Sequence, residues 1–128
     1  MTAYDSINFD PPAPTTHVTL INEVTGSTWP GVPMQLDTGA DASLIPQVAV
    51  NQLGLIVSDV QYELAGFDGT RSFAAAVQLK MQFGRYVFQG KYLLIDQEIG
   101  IIGRDVLNLL SLLFDGPQLE WKDLRSER

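Results

Sequence analysis

The chain has 128 residues, 45% of them hydrophobic and 18% charged, which is the length of one domain with too much apolar content for a disordered chain. Fifteen Asp and Glu against eight Lys and Arg leave a net charge of −7, the wrong sign for a protein that neutralises nucleic-acid phosphates. The absence of cysteine excludes a disulfide framework, a thiolate metal site and a Cys nucleophile, and it fits a reducing, cytoplasmic setting.

Residues 1–15 carry Pro11, Pro12 and Pro14 among scattered polar residues and read as a flexible N-terminal arm, without the basic and apolar regions of a targeting segment. Met1 is expected of a free-standing gene product. The single histidine, His17, sits at the edge of this arm and reads as a surface residue, not as part of a triad. From Thr16 the apolar residues recur with period two, so the folded domain is expected over residues 16–122, built of strands, with a tail at 123–128.

Residues 16–24 form a first strand and Thr25-Gly26-Ser27 a turn. Val32, Met34 and Leu36 alternate into a second strand whose start is marked as irregular by Pro30 and Pro33. Pro46, as a first helical residue, and Gly54, as a C-terminal stop, bound a short helix. Residues 60–65 and 72–83 form a long hairpin around the tip Gly66-Phe67-Asp68-Gly69. In its second arm Phe73, Ala75, Val77, Leu79, Met81 and Phe83 share one parity and are expected on one buried face. Two apolar runs follow at 86–88 and 92–95, then a short helix at 104–110. The last hairpin pairs 111–114 with 118–121 across Asp115-Gly116-Pro117. The apolar stretch at 106–114 is broken by Asn108 and Ser111 and is too short to cross a membrane.

The chemistry is concentrated in Leu36-Asp37-Thr38-Gly39-Ala40-Asp41, where an acid follows an alternating strand and precedes a glycine. Two such carboxylates facing each other share a proton, one serving as base toward water and the other as acid toward a carbonyl. The alternate spacing of Asp37, Gly39 and Asp41 also imitates the start of a calcium loop, but Ala42 stands where that loop needs glycine and Val48 where it needs glutamate. No phosphate-binding loop, nucleophile elbow or histidine zinc motif occurs, and no metal or cofactor is expected.

Further along, Ile101-Ile102-Gly103-Arg104-Asp105 follows an apolar strand and opens the second helix. The pairing of DTGAD with IIGRD, the glycine-bounded hairpin tip and the order of elements resemble the retropepsins, the single-domain homodimeric aspartic proteases that include the retroviral enzymes. The resemblance covers roughly residues 16–121. It implies an all-β, closed β-barrel of the acid-protease fold with one or two short helices, and a homodimer with the active site on its two-fold axis. It implies that Asp37 is the catalytic aspartate and that Thr38 locks the two active-site loops together. Gly39 and its neighbour Ala40 would support the site, Asp41 would contact substrate backbone and pair with Arg104, and Gly66, Phe67, Asp68 and Gly69 would form a flap over the substrate.

Three features depart from the retroviral pattern. Asp105 stands where many of those enzymes have an amide, the tip reads GFDG instead of a glycine run, and the C-terminal hairpin is longer. The last feature is similar to free-standing relatives, either bacterial or of the cellular ubiquitin-shuttle type. Leu112, Phe114, Leu119 and Trp121 of that hairpin are expected to bury against the partner subunit. The expected function is aspartic endopeptidase acting on peptides or unfolded proteins. The alternative is a peptide-binding or dimerisation module on the same fold with little turnover.

Overall fold

The computed structural model describes residues 1–65 and 69–125. The order is β1 (Thr2–Ala3), β2 (Thr15–Ile21), β3 (Thr28–Leu36), β4 (Leu44–Pro46), α1 (Gln47–Gln52), β5 (Val57–Ala65), β6 (Arg71–Phe83), β7 (Tyr86–Ile95), β8 (Gly100–Ile102), α2 (Arg104–Leu107), β9 (Leu112–Asp115) and β10 (Glu120–Asp123). Strands β2-β3-β8-β4-β7-β6 hydrogen-bond in that order and a β2–β6 pairing closes the ring, so six strands make a barrel. Strand β5 adds to the outer side of β6, and β1-β10-β9 form a separate small sheet.

Period two explains the barrel's interior. Val32, Met34 and Leu36 of β3 point inward with Val18 and Leu20 of β2, and Val77, Leu79, Met81 and Phe83 of β6 close the same core. Each large side chain removed from water contributes about 1.5–3 kcal/mol, before the entropy of ordering it. Helix α1 adds Ala49 and Val50 to this core. Pro46 ends β4 and caps α1 from outside, one position earlier than a first helical residue. Gly54, at φ +62°, turns the chain out of the helix.

Several expectations are corrected. Phe73 does not join the core face of β6 and is 66% exposed, while Ala74 and Ala76 are buried. The last β6–β7 pair is Ala76 with Leu93, and beyond it β6 is paired only with β5, a ribbon whose far face has no barrel layer to cover it. The runs at 86–88 and 92–95 are one strand, β7. The helix expected at 104–110 regularises only over Arg104–Leu107; Leu109 and Leu110 donate to residues three back, a tightened last turn. Trp121 faces its own subunit, not a partner: it is 5% exposed, its ring lies 5.8 Å from that of Phe83, and its indole Nε1 donates to the Thr15 carbonyl at 2.8 Å.

The first fifteen residues, expected as a flexible arm, make ordered contacts. Thr2 and Ala3 pair with Trp121 and Glu120, Tyr4 N donates to the Leu119 carbonyl, and Asp5 bridges Ala13. The Asp5 carboxylate accepts Ile7 N, Asn8 N and Asn8 Nδ2, an Asx turn, and the Asn8 bonds hold its pKa below the ordinary value. His17 is exposed within β2. Among the described residues no helix is long and apolar enough to cross a membrane.

Candidate active site

Strand β3 delivers Asp37 one residue past its end. Alternation puts Leu36 in the core and Asp37 on the opposite face. The strand's last ladder bond extends into the turn, where Asp37 N donates to the Ile102 carbonyl of β8 at 2.9 Å. The chain then reverses. Ala40 N donates to the Asp37 carbonyl at 3.2 Å, and Gly39 N donates to the Asp37 Oδ1 at 2.9 Å. A Cβ at Gly39 would lie 3.1 Å from that same Oδ1, so a glycine leaves the carboxylate room at the turn.

A second segment, the β8–α2 junction, backs this turn. Arg104 N donates to the Ala40 carbonyl at 2.9 Å, and the Arg104 guanidinium donates from one nitrogen to the Thr38 carbonyl at 2.7 Å and from the other to the Asp41 carboxylate. The planar fork thus spans both sides of Gly39-Ala40, which a lysine could not do. Gly103 packs so closely beneath that a Cβ there would sit 2.7 Å from the Ala42 carbonyl oxygen and 2.8 Å from that of Ala40.

Ser43 and Asp105 complete the clamp, and only Asp105 attracts notice in the sequence. The fully buried Ser43 hydroxyl donates to Asp105 Oδ1 at 2.7 Å and accepts Gly103 N at 3.0 Å, while Ser43 N donates to Asp105 Oδ2 at 3.0 Å. Asp105 therefore occupies both carboxylate oxygens on one residue. An amide in its place could accept only one of these bonds. Nothing near Ser43 in sequence announces this, because its partners are 60 and 62 residues away.

Three acids thus stand together with different fates. Asp41 is committed to Arg104 and Asp105 to Ser43, while Asp37 accepts only Gly39 N and keeps Oδ2 open among the described residues. Asp37 is half-buried and Thr38 exposed at the tip of the turn. Of the expected flap, Gly66, Phe67 and Asp68 lie outside the described residues; Gly69 has φ +80°.

The retroviral aspartyl protease family model matches residues 13–114. Among solved structures, the EIAV protease complexed with the inhibitor HBY-793 superposes with a TM-score of 0.55 at 21% identity, over 81% of this chain and 90% of that one. A retropepsin-like aspartic protease from Rickettsia conorii aligns with a TM-score of 0.49 at 16% identity, over 87% of this chain and 89% of the other. No curated protein matches significantly. With a closed six-stranded barrel and a family match running from Ala13 to Phe114, the chain belongs to the retroviral aspartyl protease family.

Proposed function

We propose that the protein is an aspartic endopeptidase in which two Asp37 carboxylates, one from each subunit of a homodimer, activate a water for attack on a peptide bond. The observation that carries this reading is the division of labour among the three acids. Asp41 and Asp105 are tied into the scaffold, so among the described residues a single carboxylate at the turn is left open. General acid–base hydrolysis of an amide needs a base for the water and an acid for the carbonyl oxygen. One Asp37 cannot serve as both at once, and a two-fold axis beside the turn supplies the second.

In such a dyad the two acids sit too close for both to ionise, so one keeps a proton. The ionised Asp37 takes a proton from water, and the protonated one gives its proton to the carbonyl oxygen as the tetrahedral intermediate forms. Collapse then transfers a proton to the leaving nitrogen. Thr38, which is exposed at the tip, would meet its counterpart across the axis, and Gly39, Ala40, Asp41 and Arg104 would keep the turn from shifting under the substrate. The 66–69 hairpin tip would cover the peptide and exclude water.

The test is Asp37→Asn, which keeps size and the bond from Gly39 but removes the base. Cleavage of an unfolded protein at mildly acidic pH should fall by at least about a thousand-fold, with circular dichroism and dimer mass unchanged. Retention of wild-type turnover would refute the assignment. A wild-type protein that binds peptides and never cleaves them would instead favour the binding module.

A further inference from the structure

A cavity of about 270 Å³ opens beside Gln35, on the face of β3 that points away from the core. Its position follows from strand register. Gln35 of β3 lies two residues before Asp37, so the strand's alternation, carried one residue past its end, sends both side chains to the same face, and Ile101 of β8 is the parallel partner of Gln35. Two residues of strand span roughly 7 Å, the repeat at which an extended peptide presents side chains to one side. The volume is just below the roughly 300–1,000 Å³ of sites for drug-sized ligands and suits a single long side chain.

Its lining is two-toned. Phe9, Ile99 and Ile101 are half-buried and make an apolar wall, while Glu98 and Asn8 are exposed at the mouth. Glu98 has no ion-pair or hydrogen-bond partner among the described residues, and no Lys or Arg lines the cavity. Phe9 and Asn8 come from the segment that the Asp5 turn and the Asp5–Ala13 bridge hold in place. An aliphatic stem ending in a cation is the side chain that satisfies both tones.

Building on the protease reading, we infer that this cavity is a specificity pocket in which Glu98 selects a lysine or arginine side chain within one or two residues of the scissile bond. The net charge of −7 adds a long-range attraction for basic segments. Because Glu98 is exposed, its selectivity is modest: a pair at the solvent edge is worth about five-fold at most at low salt, and salt weakens it.

The experiment uses peptides identical except for lysine, norleucine or glutamate at the positions flanking the cleavage site. Binding to the Asp37→Asn protein is read by fluorescence anisotropy above the ordinary carboxylate pKa range. kcat/KM for the wild type on the same peptides is read separately. The lysine peptide should bind about five-fold more tightly than the norleucine one at low salt, the glutamate peptide most weakly, and the lysine-to-norleucine ratio should fall to about one in Glu98→Gln. In Glu98→Lys the order of lysine and glutamate should reverse. Equal binding of lysine and norleucine peptides, a lysine preference that survives Glu98→Gln, or no peptide binding at all would overturn the inference. Loss of the protease reading shows separately, as selective binding without cleavage by the wild type.

Discussion

At the residue scale, Arg104 shows why an exposed ion pair can matter through its second contact. Its side chain is 42% exposed and that of Asp41 89%, so their charge attraction contributes little. The bond to the Thr38 carbonyl is different, because it pins the residue next to Asp37. Arg104→Ala should therefore lower stability by only about 1–2 kcal/mol yet reduce kcat/KM ten- to a hundred-fold, on the order expected for a displaced catalytic group. Arg104→Lys should recover part of the stability and little of the activity; thermal melts and peptide cleavage measured together check this. Tyr92 makes a separate, pH-dependent contribution. Burial, reinforced by the Asp105 carboxylate, raises its phenol from 10.0 to about 12. The folded state favours the neutral ring, so its share of stability is complete below pH 10 and is lost as pH rises through about 12. The melting temperature of Tyr92→Phe should consequently fall less steeply than that of wild type across this window.

At the scale of elements, the C-terminal hairpin divides its apolar residues between two jobs. Trp121 completes the subunit's own core over Phe83, whereas Phe114 of β9 and Leu119, in the turn before β10, stand exposed. Trp121→Ala should cost about 3–5 kcal/mol, seen as a large drop in denaturation midpoint at every protein concentration. Phe114→Ser combined with Leu119→Ser should leave that midpoint nearly unchanged at high concentration and raise the concentration at which light scattering reports monomer, the outcome expected of side chains that bury against a partner subunit. The hairpin's turn and its alternating residues were legible because they are local. The inward direction of Trp121 was not, since it depends on Phe83, 38 positions away, and on the Thr15 carbonyl it reaches.

At the scale of the whole molecule, the proposed chemistry belongs to the pair of chains, and that can be measured directly. A dimer of one wild-type and one Asp37→Asn subunit would have a single carboxylate and no activity. Equal amounts mixed and allowed to exchange subunits leave about a quarter of the dimers fully wild type, so activity should fall to about half its value before exchange. An activity that stays constant while mass spectrometry shows mixed dimers would reject a shared dyad.

Sequence alone determined the strand class, the order of most elements and the acid that follows β3, because alternation and turn residues act within a few positions of each other. It also carried the family, through DTGAD and IIGRD. Strands β4 and β8 escaped it: three residues are too few to show a period, and both exist because neighbouring strands supply their hydrogen bonds. The Ser43–Asp105 clamp, the exposure of Phe73 and the cavity beside Gln35 were likewise decided only in three dimensions. A periodic sequence records which side of a strand is apolar. What covers that side, and which distant carboxylate a buried hydroxyl will meet, is settled when the β2–β6 pairing closes the barrel and fixes every other register.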